Sequence, residues 1–232
     1  MNIAMIRVGV DAGCGGIQGP LFRDGSFEFI PIPENPDMTS KHTFGNLIGR
    51  HKKPLSDYFP PRRRNSIAVS GVHCDPDWAT FTYGDYTGSP KSSLQQLKKG
   101  DFLIFTCGLQ GWNFHCEPAI YLVGYFRVAT AGRYSDFTQS EIKSLFGNND
   151  HVWRINHKQE AIAENCSELL LVKGTSGSRL LKKAVRLSTT SKDKSGRPLK
   201  VLSPRMQKIM GDFGGHISIQ RSPARWIDPK YV

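Results

Sequence analysis

β-Branched and aromatic residues gather in short runs bounded by turn-forming residues, at Ser26 to Ile32, Ile67 to Val72, Phe102 to Cys107, Ala119 to Val128, Val152 to Ile155 and Glu168 to Val172. Met1 to Val10 reads as a further, buried first strand. These runs are not regularly interleaved with long amphipathic helices, which argues against a doubly wound parallel sheet. Helix signals are confined to two places. Thr138-Gln139-Ser140-Glu141 has capping-box spacing, followed by Ile142, Leu145 and Phe146 on one face and by Gly147 as a stop. Ser203-Pro204 precedes an apolar stripe of Met206, Ile209 and Met210 and a terminating Gly211. The expected fold class is α+β: a strand-rich, mostly antiparallel curled sheet or barrel with a few short helices. With 232 residues and no internal repeat, one domain over residues 1–232 is expected.

Charge narrows the partner. The chain carries 31 Lys and Arg against 20 Asp and Glu, a net charge of +11, which favours a phosphate-bearing ligand: DNA or nucleotide first, RNA as an alternative. Arg50 to Lys53 and Arg62 to Arg64 lie among prolines that argue against a helix, so residues 33–66 are expected to form a long, partly ordered basic loop. Lys192, Lys194, Arg197 and Lys200 add a second basic stretch. No apolar run approaches the roughly 18 residues of a membrane helix, and the opening residues lack a signal-peptide pattern. A soluble, cytoplasmic chain without a membrane partner is expected. Five irregularly spaced cysteines do not suggest a disulfide framework.

The Asp11-Ala12-Gly13-Cys14-Gly15-Gly16-Ile17-Gln18 segment follows the first strand. It fails the dinucleotide fingerprint, because Gln18 stands where glycine or alanine is needed and no amphipathic helix opens after it. Two readings remain: a tight bend between strands, or backbone amides of Gly13, Gly15 and Gly16 turned toward an anion with Asp11 and Gln18 beside them. Cys14 has no nearby histidine in sequence and reads as a small thiol rather than a nucleophile.

Between His73 and Asp85 an imidazole, a thiol, three carboxylates and three aromatics crowd into a loop-like stretch. His73 is suited to shuttling a proton and Asp75 or Asp85 to acid or base work. Trp78, Tyr83 and, from the loop after the Phe102 strand, Trp112 are candidates for stacking on a base. Contiguous His-Cys-Asp is not a familiar ligand spacing, so no metal is expected. Cys107, His115 and Cys116 likewise lack metal spacing. Further on, Lys173, Ser176, Ser178 and Arg179 surround a glycine- and hydroxyl-rich turn that is expected to open a short helix and to suit a phosphate. Arg221, near the end of the chain, is a further phosphate candidate.

Several of these segments together carry a family resemblance. Ile6 to Asp11 with its glycine run, Gly19-Pro20-Leu21-Phe22, Gly25 to Pro33, Asp57-Tyr58-Phe59-Pro60, Phe81 to Asp85, Leu170 to Gly174, Gly177 to Leu181 and Ser218 to Pro223 resemble the nucleotide modification associated domain 3 family over nearly the whole chain. The resemblance implies association with DNA base modification in phages, bacteria or archaea. Where relatives are expected to hold a small residue such as serine, this chain has Cys14, a departure that weakens a nucleophilic role for the thiol. Lys99 to Phe105 followed by Ile120 to Val128 is similar to PUA-like barrels, including EVE and ASCH domains, which cradle nucleotides or modified bases.

Two functions follow as expectations. In the first, the chain binds a modified or flipped base in an aromatic pocket of Trp78, Tyr83 and Trp112, with Arg and Lys on the phosphates. In the second, it is an enzyme of nucleotide or base hypermodification that uses Asp11, His73, Asp75 and Asp85. Cofactor and oligomeric state are left open.

Overall fold

A computed structural model describes residues 1–36, 38–86, 88, 92–157, 166–220 and 223–232. Its centre is a long antiparallel hairpin of β6 (Phe102–Gly111) and β7 (Ala119–Arg133). A turn at Gly100, whose φ of 92° suits glycine, leads into β6. Asp101 clamps that entry by accepting the backbone N–H groups of Asn2 (2.7 Å) and Lys98 (3.0 Å). The Gly-Asp pair that suggested a PUA-like barrel therefore anchors the entry to the sheet.

Chain crosses back and forth on both sides of the hairpin. On one side β1 (Ile3–Arg7) and β2 (Gly19–Leu21) lie end to end along β6, both parallel to it. On the other side β8 (Leu169–Gly174) and β9 (Arg179–Arg186) lie end to end along β7, both antiparallel. The sheet is completed by β12 (Arg225–Ile227) beside β1 and β5 (Thr82–Tyr86) beside β8, in the order β12-β1-β6-β7-β8-β5. It is open, with β12 and β5 as its edges, so the α+β, mostly antiparallel expectation holds and the barrel alternative does not. Two small two-stranded sheets flank it, β3 (Ile32–Pro33) with β4 (Val72–His73) and β10 (Ser188–Lys192) with β11 (Pro198–Leu202).

Among the described residues the α-helices are α1 (Pro61–Ala68), α2 (Gln139–Phe146), α3 (Asp150–Asn156) and α4 (Pro204–Met210). The two expected from sequence form where their caps lie. Thr138 and Glu141 exchange the reciprocal bonds of a capping box, and Ser203 Oγ accepts the Met206 N–H. The other two correct the sequence reading. Val152 to Ile155, read as a strand, lies in α3, because Asn149 accepts the His151 N–H at 3.0 Å and starts a helix there. Ile67 to Val72 divides between the end of α1 and the start of β4. Prolines had argued against a helix near Arg62, yet Pro61 occupies the first helical position, where a missing N–H costs nothing.

Residues 33–66, expected as a long, partly ordered basic loop, contribute to the core. Phe44, Leu55, Tyr58 and Phe59 join Val10, Ile30, Ile67 and Val72 in a buried apolar cluster. Ser26 to Ile32 is not one continuous strand: Phe27 bridges Leu21, the Ile30 carbonyl accepts the Val10 N–H, and Ile32 begins β3. The expected helix after Gly177 is β9, since Gly174 to Ser178 is a kink in one long strand along β7.

The main core lies against the β6–β7 hairpin. Phe105 is fully buried, with its ring 4.6 Å from Phe126, 5.2 Å from Trp78 and 5.7 Å from Tyr83. Edge-on aromatic pairs of this kind add about 0.5–1.5 kcal/mol each beyond their burial. Phe105→Ala is therefore expected to cost about 3–5 kcal/mol, read as a lowered urea midpoint at unchanged slope. A loss under 1 kcal/mol would show that this packing does not hold the sheet.

Candidate functional site

The site grows from the outer edge of β5, the side away from β8. An edge strand leaves backbone N–H groups without a strand partner, and the N–H of Gly84 is met by the Asp75 carboxylate at 2.9 Å. Asp75 follows β4, so this bond fastens the β3–β4 ribbon to the edge of the main sheet. From the other direction α3 brings His151, whose Nε2 lies 3.3 Å from Asp75 Oδ2. Only glycine permits the approach: a Cβ on Gly84 would stand 2.8 Å from His151 Cδ2 and 3.3 Å from Asn149 Oδ1. His73 Nε2 faces the same Asp75 oxygen at 3.9 Å.

Charged neighbours hold these groups in place. Glu34 lies beside His73 in the β3–β4 ribbon, with Oε2 3.3 Å from His73 Nδ1. Arg154, one turn beyond His151 on α3, places Nη1 2.6 Å from Glu34 Oε2 and Nη2 2.6 Å from His73 Nδ1. Asp150 accepts the Cys74 N–H and pairs with Lys41 at 3.4 Å. Tyr83 donates its O–H to Asp85 at 2.8 Å. A cleft of about 210 Å³ opens on His73, Asp75, Tyr83, Asp85 and His151, with Arg7 and Gly9 on its far wall.

Burial sets the protonation states. It drives the Asp75 carboxyl well above the usual carboxylate range, opposed by His73 and by the Gly84 N–H. It lowers His151 to about 4, with Arg154 adding to the effect. Tyr83 is raised well above 10 by burial and by Asp85, so it remains a hydroxyl donor. Burial alone would raise Glu34, but His73 and Arg154 outweigh it and leave the carboxyl below its ordinary value.

Arg7 links this cleft to a second one. At the end of β1 its Nη2 lies 3.1 Å from Asp11 Oδ2, and its Nη1 donates to the Gln220 carbonyl. The second cleft, of about 230 Å³, is lined by Arg7, Asp11, Gly13, Gln18, Ile120, Lys200 and Gln220, among others. A third, of about 380 Å³, shares Gln220 and adds Arg197 and Arg225.

The glycine-rich opening supplies a wall to the second cleft, and much of its hydrogen bonding is internal. Asp11 Oδ1 accepts the N–H groups of Gly13 and Cys14, both at 2.7 Å, and the Asp11 carbonyl accepts Gly16 N–H at 3.0 Å. A Cβ on Gly15 would meet Val10 at 2.6 Å. The tight-bend reading accounts for these contacts. Asp11 thus has one carboxylate oxygen on its own turn and the other on Arg7. Gln18 lies over Gly108, where a Cβ would stand 1.8 Å from its Oε1. Burial, with Asp11 adding to it, raises the Cys14 thiol.

The remaining candidates are dispersed. Trp78 packs edge-on against Phe29, Phe105 and Phe126, and Tyr83 belongs to the same core. Trp112 instead packs on Tyr58, 5.3 Å away in the second cluster. The three rings share no single stacking face. Lys173 donates to the Thr80 carbonyl, and Ser178 accepts the Arg127 N–H at 3.1 Å inside the β7 ladder. Ser176 is exposed, and Arg179 lies over the Tyr125 ring at 5.9 Å. Arg221 lies outside the described residues. Sequence reasoning brought His73, Asp75 and Asp85 forward but missed Arg7, Glu34, His151 and Arg154. Available signals were a lone arginine interrupting the apolar first strand, and Asn149 as a cap that would have placed His151 and Arg154 three apart on one helix.

The His151 ring is expected to stay neutral from pH 8 down to about 5, seen as an unmoving ring-proton resonance by NMR. Its folded-state affinity for a proton is below that of the unfolded chain, so the stability it contributes is intact above 6.5 and is lost as the pH falls toward about 4. A midpoint near 6.5 would contradict the buried placement. Gly84→Ala is expected to destabilise the fold by about 1–3 kcal/mol through overpacking and to shift that resonance; an unperturbed spectrum would count against the close approach.

No curated protein and no solved structure matches the chain. A family model described as nucleotide modification associated domain 3 matches residues 2–231. The chain, with its open strand-rich sheet and its Asp75-centred cleft, belongs to the nucleotide modification associated domain 3 family.

Proposed function

We propose that this chain is an enzyme of nucleotide or DNA base modification, with its acid–base groups in the His73–Asp75–Asp85 cleft and its phosphate contacts along Arg7, Lys200, Arg197 and Arg225. The observation that carries the reading is Arg7, which lines both the acid–base cleft and the adjoining basic one. At about 210 Å³ the first cleft is smaller than the roughly 300–1,000 Å³ of pockets for drug-sized ligands. It suits a base or a sugar, and the rest of a nucleotide or strand would run past Arg7. Lys200, Arg197 and Arg225 continue in that direction, beside the basic β10–β11 hairpin.

The division of labour follows from environment. Asp75, buried and with its affinity for a proton raised, is suited to giving one up. Asp85 is less buried, and its carboxylate is oriented by the Tyr83 hydroxyl, which suits it to taking one. His73 lies close to Asp75 and can pass a proton between that residue and the cleft. Arg7 is held by Asp11, so its guanidinium is already placed before a phosphate arrives.

Nucleosides from DNA of a host with and without the gene, compared by mass spectrometry, are expected to differ in one modified species. Asp85→Asn should lower formation of that species about 10²–10⁴-fold while leaving circular dichroism and nucleic-acid affinity near wild type. Identical nucleoside spectra, together with a purified protein that alters no nucleotide, would reject catalysis. Lys200→Ala is expected to reduce the slope of log affinity against log salt by about 1. A slope equal to that of the wild type would remove Lys200 from the phosphate path.

A further inference from the structure

We propose that His73, Asp75 and His151 form a binding site for one divalent first-row transition-metal ion of the Zn²⁺, Fe²⁺ or Mn²⁺ class. The proposal rests on the same cleft being the reactive centre: with the ion bound, Asp75 and the Nε2 of His73 are ligands in place of proton carriers, Asp85 remains the acid–base group, and metal binding is measurable without any nucleotide. One ligand atom from each residue can be chosen so that all three lie within 4.8 Å of one another. Ions of this class bind nitrogen and oxygen ligands at about 2.0–2.2 Å, which places neighbouring ligand atoms about 3–3.5 Å apart. His151 Nε2 and Asp75 Oδ2 are already at 3.3 Å, and the rest of the triangle closes with a movement of about 1.5 Å or less.

Three features distinguish the cluster from an ordinary Asp–His pair. A hydrogen bond to Asp75 accounts for His151, but His73 Nε2 faces the same oxygen at 3.9 Å, beyond hydrogen-bond reach. Two imidazoles and a carboxylate from separate elements thus converge on one point. Secondly, the His151 side chain is nine-tenths buried, and its Nδ1 has no hydrogen-bond partner among the described residues. The nitrogen that meets Asp75 is Nε2, so Nε2 is the ligand atom and the unpartnered Nδ1 takes no part in holding the ion. Thirdly, an outer layer is in place. Glu34 lies 3.3 Å from His73 Nδ1 and is anchored by Arg154, while Gly84 N–H fixes the orientation of Asp75. A carboxylate behind a metal-bound histidine orients the ring and raises its basicity.

The two neighbours of His73 Nδ1 also define what binding does to this ring. Arg154 Nη2, at 2.6 Å, can only donate, so in the metal-free protein the ring proton sits on Nε2. An ion at Nε2 moves that proton to Nδ1, where Glu34 accepts it; Arg154 Nη2 then has to withdraw from Nδ1, while Nη1 keeps its bond to Glu34. Three protein ligands leave positions open to water or substrate, on the side where Asp85 and Tyr83 line the cleft. Two imidazoles with one carboxylate select this class of ion over Mg²⁺ or Ca²⁺, which prefer all-oxygen sites.

The test is equilibrium dialysis of the chelator-treated full chain against Zn²⁺, with Co²⁺ as a visible-absorption probe of the ligand set. One ion per chain is expected. His73→Gln and His151→Asn should each weaken binding at least 100-fold, and Glu34→Gln, which removes only the outer carboxylate, about 10–100-fold. His115→Ala, at an exposed histidine, should leave affinity unchanged. Should a ligand variant lose its fold by circular dichroism, Glu34→Gln and the Co²⁺ spectrum of the wild type decide the matter. The proposal is overturned by fewer than one ion per chain, by folded ligand variants of unchanged affinity, or by a Co²⁺ spectrum indicating sulfur ligation through Cys74. Zn²⁺ binding with no effect of the gene on host nucleosides would uphold the site and reject the enzyme reading. Asp85-dependent turnover without stoichiometric metal would do the reverse.

Discussion

A buried carboxylate at the edge of a sheet is expensive unless several groups share it, and Asp75 organises its surroundings for that reason. Isolated in a low-dielectric setting it would favour protonation or draw donors toward itself. It receives the Gly84 N–H from β5 and faces two imidazoles, from β4 and from α3. Each bond joins a separate element of the fold to the same few atoms. The cleft is thus held by ordered elements: the β3–β4 ribbon, the edge strand and the helix would all have to shift for it to collapse.

Neutralisation extends outward in layers from that point. Glu34 and Arg154 form a bidirectional clamp on His73, and Asp150 and Lys41 tie the start of α3 to the segment around Cys74. Buried ion pairs of this sort add little net stability, because desolvation offsets most of their attraction. Their effect is on geometry: both histidine rings are pinned by packing or by charge. Arg7 plays the corresponding part on the far wall. Its guanidinium bridges Asp11 and the Gln220 carbonyl, and thereby fixes the glycine-rich turn against the end of β1.

The sheet was legible in the sequence wherever hydrophobic periodicity and burial agree. β6, β8 and the Ala119 to Val128 part of β7 bury most of their length, so their apolar runs are nearly continuous, and α2 and α4 declare themselves through local caps. Errors fell where tertiary packing outweighed local signals. Val152 to Ile155 is rich in β-branched and aromatic residues, but Asn149 and the buried face against Phe146 and Leu169 make it helical. Residues 33–66 look polar and proline-rich, yet Phe44, Tyr58 and Phe59 fold inward onto Val10 and Ile30. At the site the sequence revealed the half that is contiguous, His73 to Asp85. It concealed the half that arrives from a distance, because no spacing rule relates Glu34 to His73 or His151 to Asp75.

The aromatic residues illustrate how the same composition can serve two purposes. Trp78, Tyr83 and Trp112 are the side chains a nucleotide pocket would use for stacking, and all three are instead packed against other rings. Gly124 is part of that arrangement, since a Cβ there would stand 2.4 Å from the Trp78 ring. Trp78 therefore fills a slot in the β6–β7 sheet and braces the turn that leads from Asp75 to β5. Tyr83 is similarly placed, with its ring in the core and its hydroxyl on Asp85. Packing of Trp78 and Tyr83 against neighbouring rings makes the strand carrying Gly84 and Asp85 rigid. Rigidity of the supporting shell is what acid–base and metal chemistry require, since both lose effect when donors drift by an ångström. The core thus contributes to function by fixing the edge of the sheet on which Asp75, His73 and His151 converge.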